Sequence, residues 1–216
     1  GGNIAAGEDG RLEPLLKVDP LRIDLGYSLV VLADAELGGD LAARVSSTRR
    51  EIARELGMLV PSVKIADDMD LDAGAYVISV RGVKVASGKL RVRRLLATGG
   101  DDPAERLSGL DCYDPVTGGP GLWITQAQRA QAESLSYKIL GPSELLVRHF
   151  AETVRLHAGE LFSRQQASRL IDGLKASAPE IVTEAIDRFG VAKLHRLLQS
   201  LLAEGVPIRD METIFE

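Results

Sequence analysis

The stretch YKILGPSELLVRHF, residues 137–150, marks the point at which the pattern of the chain changes. Residues 137–140 combine tyrosine, isoleucine and leucine in a run that is typical of a short strand, and Gly141 ends it. Pro142 suits the first turn of a helix, and the apolar residues that follow recur at helical spacing. The sequence therefore predicts strands mixed with helices before this point and helices alone after it.

Helical periodicity continues through the rest of the chain. Ser163 begins a second helix and Ser177 a third, and Gly190 separates the third from a leucine-rich fourth. Pro207 begins a fifth helix, which has an apolar face but no closing cap, so we expect this face to require a partner. Short turns join these helices, which indicates a compact helical unit.

The residues before this unit alternate between strand and helix patterns. Residues 21–34 predict a strand with a β-branched centre. Leucine, valine and isoleucine at helical spacing over residues 41–56 predict an amphipathic helix that Asp40 caps at its start and Gly57 at its end. Residues 61–97 predict several further strands.

These patterns predict an α+β multidomain fold, in which an α/β first subdomain is interrupted by a small β-rich insertion and followed by an all-helical subdomain. A turn at Arg81 and Gly82 lies in the β-rich part, and Thr125 begins a short helix with Gln128 in a capping box. The predicted boundaries are a flexible linker at 1–20, subdomain 1 at 21–66 plus 111–141, subdomain 2 at 67–110, and subdomain 3 at 142–216.

Composition excludes several classes of protein. The 216 residues carry a net charge of −5 with no basic half, which argues against a nucleic-acid footprint. The single cysteine, Cys112, excludes an internal disulfide and a multi-cysteine zinc site. The longest apolar run, YSLVVLA, is too short to span a bilayer.

No constellation of residues predicts catalysis or a cofactor. Asp68, Asp70 and Asp72 alternate as in a calcium loop, but Ala73 and Ser79 stand where that loop needs glycine and a bidentate glutamate. The histidines do not have the spacing of a metal site, and no nucleophile lies beside a base. We therefore expect neither an enzyme nor a bound metal or cofactor.

The segment KLRVRR, residues 89–94, is a local basic cluster. If it forms a strand, Lys89, Arg91 and Arg93 share one face, and the apolar Leu90 and Val92 share the other. Such a strand can contact phosphates or an acidic protein surface, or it can be a charged edge strand that discourages aggregation.

The order of these segments resembles a known family, the FlhA-type export-gate subunits of flagellar and injectisome type III secretion. The resemblance runs from about residue 21 to the end of the chain. It rests on these segments: DLGYSLVVLAD, RREIARELGMLVPSVKIADDMDL, GVKVASGKL, DPVTGGPGLWI, HAGELFSRQQASRLIDGLK and LLQSLLAEGVPIRDMETIFE.

This resemblance implies a cytoplasmic region of four subdomains behind a membrane-embedded half, of which the chain would hold the end of the linker and the first three subdomains. It also implies a ring, a location at the cytoplasmic face of the bacterial inner membrane, and binding of export chaperone–substrate complexes and other export-apparatus proteins, with no nucleic acid. The segments AYVISVRGVKVASG and GVPIRDMETIFE resemble the flagellar proteins more than the injectisome homologues, which favours the flagellar branch. A regulatory or nucleic-acid-binding module that uses the basic cluster is the alternative from another class.

The resemblance further implies a shallow apolar seat for chaperones between the first two subdomains. Matching the family pattern places the following residues at this seat: Leu71, Ser87, Leu90, Val92 and Cys112. The chain departs from the pattern in charge, because Lys89, followed by arginines, stands after Gly88 where an acidic residue is common in the family. Each apolar residue of the seat can instead pack in the core.

Overall fold

The computed structural model describes residues 18–100 and 107–216. Most of the predicted linker, residues 1–17, and the centre of the predicted loop, residues 101–106, lie outside the described part. Within it, the strands form two four-stranded sheets, and helices follow the last strand. The predicted mixed fold of strands followed by a helical unit is confirmed.

The first sheet has the strand order β2-β1-β3-β4. Its strands are β1 (Leu21–Leu25), β2 (Val63–Asp67), β3 (Ala75–Val80) and β4 (Val83–Lys89). β1 and β2 are parallel because helix α1 (Leu41–Leu56) crosses between them, whereas β3 is antiparallel to both β1 and β4. The predicted turn lies between β3 and β4, where Arg81 and Gly82 both adopt a positive φ as a tight hairpin requires.

The strand predicted over residues 21–34 is wrong beyond Leu25. Residues Tyr27–Leu32 form a 3-10 helix that buries Leu29 and Leu32. The change begins at Gly26, where a Cβ would lie 2.1 Å from the carbonyl oxygen of Asp72. The backbone of the β2–β3 loop leaves room only for glycine at this position, and the residues after it leave the sheet, so tertiary packing overrides the local preference for a strand.

Helix α1 buries the predicted apolar face, Leu41, Val45, Ile52 and Leu56. Gly57 ends the helix at φ 78°, as predicted. The cap predicted for its start is absent, because the carboxylate of Asp40 accepts a hydrogen bond from the Arg44 guanidinium rather than from the backbone.

The second sheet has the strand order β6-β7-β5-β8, and all of its pairs are antiparallel. Its strands are β5 (Leu95–Gly99), β6 (Leu110–Tyr113), β7 (Pro120–Ile124) and β8 (Tyr137–Leu140). A 3-10 helix (Gln126–Gln128) and α2 (Arg129–Ser134) connect β7 to β8. Leu95, Ala97, Leu122 and Ala132 belong to the small core of this unit.

Strand pairing crosses the predicted subdomain boundaries. We placed β3 and β4 in the insertion at 67–110, but they extend the first sheet through β1. β5 lies in the same predicted insertion, but it pairs with β7 and β8 of the predicted first subdomain. Alternating residues identify a strand but not the strand beside which it lies, so the division into subdomains stays a prediction.

The helical part contains α3 (Pro142–Leu156), α4 (Ala158–Leu161), α5 (Arg164–Lys175), α6 (Pro179–Ala203) and α7 (Met211–Phe215). Ser163 caps α5 by accepting a hydrogen bond from the Gln166 amide, as predicted. The cap predicted at Ser177 is wrong, because its hydroxyl donates to the carbonyl of Leu174. Gly190, at φ 72° and ψ 152°, breaks α6 at the predicted boundary between two helices.

The helical part shares one continuous core with the first sheet and α1. Ile208 and Met211 are buried, and the amide of Ile208 donates to the carbonyl of Leu56 at the end of α1. The apolar face of α7 therefore has a partner within the chain, contrary to our expectation.

None of the helices in the described residues has the length and hydrophobicity to cross a bilayer.

Candidate docking cleft

A cleft of about 1020 Å³ lies where the chain passes from the first sheet to the second. The 3-10 helix after β1 and the loop at 72–74 contribute to one wall, and β6 contributes to the other. Residues 89–93, which connect the sheets, line the cleft between these walls.

The connecting segment is a turn rather than the predicted strand. β4 ends at Lys89, and the amide of Arg94 donates to the carbonyl of Arg91, which closes a turn. The amide of Leu90 donates to the carbonyl of Gly74 at 2.8 Å. The prediction that Lys89, Arg91 and Arg93 share a strand face is therefore wrong, because the chain leaves one sheet here to enter the other.

Two apolar residues of the predicted seat have different environments in this turn. Leu90 is only 3% exposed and belongs to the main core, so the core-packing alternative describes it best. Val92 is half-buried and lines the cleft while its neighbours Arg91 and Arg93 are exposed. Val92 is thus the apolar side chain of this turn that a partner can contact.

Cys112 lies on β6, where it is half-buried and lines the cleft. Burial raises the pKa of its thiol, the charges of Asp111 and Asp114 raise it further, and Arg91 opposes them. The thiol is therefore protonated at neutral pH and behaves as a small, weakly polar group rather than as a nucleophile.

The other two predicted seat residues lie outside the lining of the cleft. Ser87 is exposed on β4, opposite Val77 of β3. Leu71 is half-buried in the β2–β3 loop, one residue before the cleft wall begins at Asp72. The structure thus brings Leu90, Val92 and Cys112 together, and the binding role of all five residues stays a prediction.

The rim of the cleft carries charges of both signs. Lys89 and Asp72 are exposed, and they form an ion pair at 2.6 Å. Lys89 lowers the pKa of the Asp72 carboxyl through this hydrogen bond and through its charge. The guanidinium groups of Arg91 and Arg93 take part in none of the ion pairs found among the described residues.

A buried polar pair that we did not predict lies between the first sheet and α3. The hydroxyl of Tyr76 is 2.6 Å from Nδ1 of His149, and the rings meet edge to face. Tyr76 is fully buried, and its hydroxyl lies over Gly88 of β4, where a Cβ would be 2.5 Å from it. Burial lowers the pKa of His149, which the charge of Asp114 opposes, and burial raises the pKa of Tyr76.

Asp114 links the second sheet to the same helix. Its side chain is 2% exposed, and its carboxylate accepts hydrogen bonds from the amide of Val116 and the hydroxyl of Thr117. Nη1 of Arg148 lies 3.4 Å from the same carboxylate. Since α3 holds both His149 and Arg148, it fixes the two sheets that form the cleft relative to each other. In the sequence, the only sign of the Tyr76–His149 pair is a histidine beside Phe150 in an amphipathic helix. This pattern is equally common for buried histidines that have no tyrosine partner, so it does not predict the pair.

Among the described residues, no three histidine, cysteine, aspartate or glutamate side chains are grouped so that they could hold a metal ion. The lining of the cleft offers a partner an apolar contact, a half-buried thiol and charged groups on its rim.

Comparison with known sequences identifies a protein family. The profile of the FHIPEP family matches residues 3–216. The flagellar biosynthesis protein FlhA of Bacillus subtilis (strain 168) is 37% identical over 203 residues, which cover 94% of this chain and 30% of that protein. The FlhA of Treponema pallidum (strain Nichols) is 34% identical over 203 residues, or 94% of this chain and 29% of that protein. The chain thus spans less than a third of the length of these relatives.

Several solved structures share the fold of this chain. The CdsV protein of Chlamydia pneumoniae has a TM-score of 0.77 at 20% identity, covering 92% of this chain and 58% of that one. CdsV in complex with CdsO has a TM-score of 0.78 at 21% identity, covering 92% of this chain and 59% of that one. The nonameric SctV-C of EPEC has a TM-score of 0.67 at 17% identity, covering 93% of this chain and 59% of that one. At these identities the likeness shows the fold alone.

Proposed function

The chain belongs to the FHIPEP family, and from this membership we propose that it is a docking platform of a flagellar type III protein export gate. Export chaperone–substrate complexes and other export-apparatus proteins bind it, and the cleft between the two sheets is their seat. In the longer protein this region lies at the cytoplasmic face of the bacterial inner membrane. The flagellar names of the curated relatives support this system over an injectisome.

The observation that carries the proposal is the half-buried Val92 in a cleft whose walls are fixed by buried contacts. Cys112 adds a second half-buried group on the wall that β6 forms. A pocket with a few apolar contacts and a polar rim suits a protein segment, which contributes side chains of both kinds.

Self-association into a ring is a second part of the proposal. Its support is the nonameric assembly named for the EPEC protein that shares this fold. Rings form when a surface on one subunit contacts a different surface on the next, so the contact need not involve the cleft.

Val92 is the residue at which to test the docking seat. Val92→Asp and the uncharged variant Val92→Asn both remove the apolar contact, so each should weaken binding of a flagellar chaperone–substrate complex about tenfold, or about 1.4 kcal/mol. Isothermal titration calorimetry measures the affinity, and thermal unfolding checks that each variant is folded. Val83→Asn is the matched control, because Val83 is 64% exposed on β4 and does not line the cleft.

Unchanged affinity in both folded Val92 variants would remove the cleft as the seat. Leu90 is unsuitable for this test, since its burial makes any loss of binding inseparable from a loss of folding.

A further inference from the structure

We propose that the partner segment that enters the cleft is acidic, with carboxylates that pair with Arg91 and Arg93 while an apolar side chain contacts Val92. This inference rests on the proposed docking function and adds the chemistry of the partner.

The positions of the two arginines provide the first argument. Both line the cleft, both are exposed, and they flank the half-buried Val92. The neighbouring Lys89 already has a carboxylate partner in Asp72, whereas the ion pairs within the described part of the chain include neither arginine. A guanidinium group binds a carboxylate through two parallel hydrogen bonds, so each arginine can take one acidic side chain.

The turn that carries these arginines is anchored at both ends. Leu90, immediately before it, is buried and hydrogen-bonded to Gly74, and Leu95 and Leu96, immediately after it, are buried in the second sheet. The bond from Arg94 to the carbonyl of Arg91 closes the turn between these anchors. The backbone is therefore ordered before a partner binds, which lowers the entropy cost of binding.

The charge of the cleft differs from that of the whole chain. The chain carries a net charge of −5, but the lining holds Lys89, Arg91 and Arg93 against Asp72 and Asp111. The lining is therefore positive on an acidic protein, which attracts an acidic segment and disfavours a basic one.

An acidic protein segment fits this lining better than a nucleic acid does. A nucleic acid brings a phosphate at every nucleotide, whereas a peptide can place its carboxylates at the two arginines alone. Val92 and Cys112 favour an apolar side chain, which a peptide supplies.

Fluorescence polarisation with three labelled peptides of equal length tests the inference. The first alternates glutamate and leucine, the second has glutamine in place of glutamate, and the third has lysine. The glutamate peptide should bind at least about fivefold more tightly than the glutamine peptide, and its affinity should fall as sodium chloride is added. The lysine peptide should bind most weakly.

Variants of the turn assign this preference to the arginines. Arg91→Gln/Arg93→Gln should bring the glutamate peptide to the affinity of the glutamine peptide, and Arg91→Glu/Arg93→Glu should favour the lysine peptide. Arg169→Gln, an exposed residue on α5 outside the cleft, is the matched control and should bind as the wild type does. Equal affinity for the glutamate and glutamine peptides would overturn the inference, as would single-stranded DNA that binds more tightly than the glutamate peptide.

The same arginine variants separate this inference from the proposed function. If the native chaperone–substrate complex depends on Val92 but binds the double glutamine variant normally, the docking function stands and the acidic partner is refuted. If the glutamate peptide binds through the arginines but the native complex does not bind at all, the charge preference stands and the docking function falls.

Discussion

Replacing Tyr76 with phenylalanine removes one buried oxygen and tests whether the Tyr76–His149 pair stabilises the junction between the first sheet and α3. The phenylalanine ring keeps the packing of the fully buried Tyr76 side chain, so the change falls on the 2.6 Å hydrogen bond. Nδ1 of the buried His149 then loses the Tyr76 hydroxyl as its hydrogen-bond partner, and little water can reach it as a replacement. Leaving such a group unsatisfied costs about 1–3 kcal/mol.

That free energy converts to a measurable change in thermal stability. For a chain of this size, 1 kcal/mol corresponds to about 2–4 °C in Tm, so Tyr76→Phe should lower Tm by about 2–12 °C. Urea unfolding followed by circular dichroism gives the free energy directly, and an unchanged m value would show that the unfolded state is not altered. Tyr113→Phe is the matched control, because Tyr113 is 76% exposed, and it should change stability by less than about 0.5 kcal/mol.

A double-mutant cycle with His149→Leu separates the hydrogen bond from other effects of the substitution. If the bond carries the loss, Tyr76→Phe should cost little in the His149→Leu background. A Tyr76→Phe protein within about 0.3 kcal/mol of the wild type would refute the reasoning, since the buried imidazole would then need no partner.

Three further predictions concern pH, backbone geometry and the core. Burial lowers the pKa of His149 in the folded protein, so the stability that the neutral imidazole contributes is complete above the unfolded pKa of about 6.5 and is lost as the pH falls below that value. The urea midpoint should therefore decline from pH 7 to pH 5. An equal decline in His149→Leu would contradict this assignment. Gly57→Ala should destabilise the protein by more than about 1 kcal/mol, because φ is 78° and a Cβ would lie 2.7 Å from the backbone nitrogen of Arg209. Gly173→Ala is in a helix with open space around it and should stabilise the protein by about 0.5–1 kcal/mol. Chemical denaturation of both variants measures the two effects, and the reverse order would refute the argument. Leu90→Ala should lower the free energy of unfolding by about 2–5 kcal/mol, and a loss below about 1 kcal/mol would show that Leu90 is not part of the core.

The helices were the most predictable part of the fold because their burial is set by local spacing. The apolar residues of α1 and the break at Gly190 lie where the sequence indicates. Strand patterns were less decisive. The segment YSLVVL has β-branched residues, but it forms a 3-10 helix that buries Leu29 and Leu32 in the core instead of pairing in a sheet.

The candidate site was predictable only in part, for a related reason. Leu90, Val92 and Cys112 line one cleft, but alternation in KLRVRR fits a turn between two sheets as well as it fits a strand. Which edges meet depends on strand pairing, and periodicity does not encode pairing. Tyr76 and His149 lie far apart in sequence, and neither has a local pattern that identifies the other as its partner.

The hydrogen bond from the Ile208 amide to the Leu56 carbonyl has a consequence for how the protein is made. Roughly 150 residues separate the two groups, so the contact closes a long loop and cannot form until the segment after α6 is available. During synthesis on the ribosome, α1 emerges well before the residues that complete its C-terminal end. The first sheet can therefore assemble early, but the end of α1 stays accessible to proteases until the segment after α6 has left the ribosome and docked.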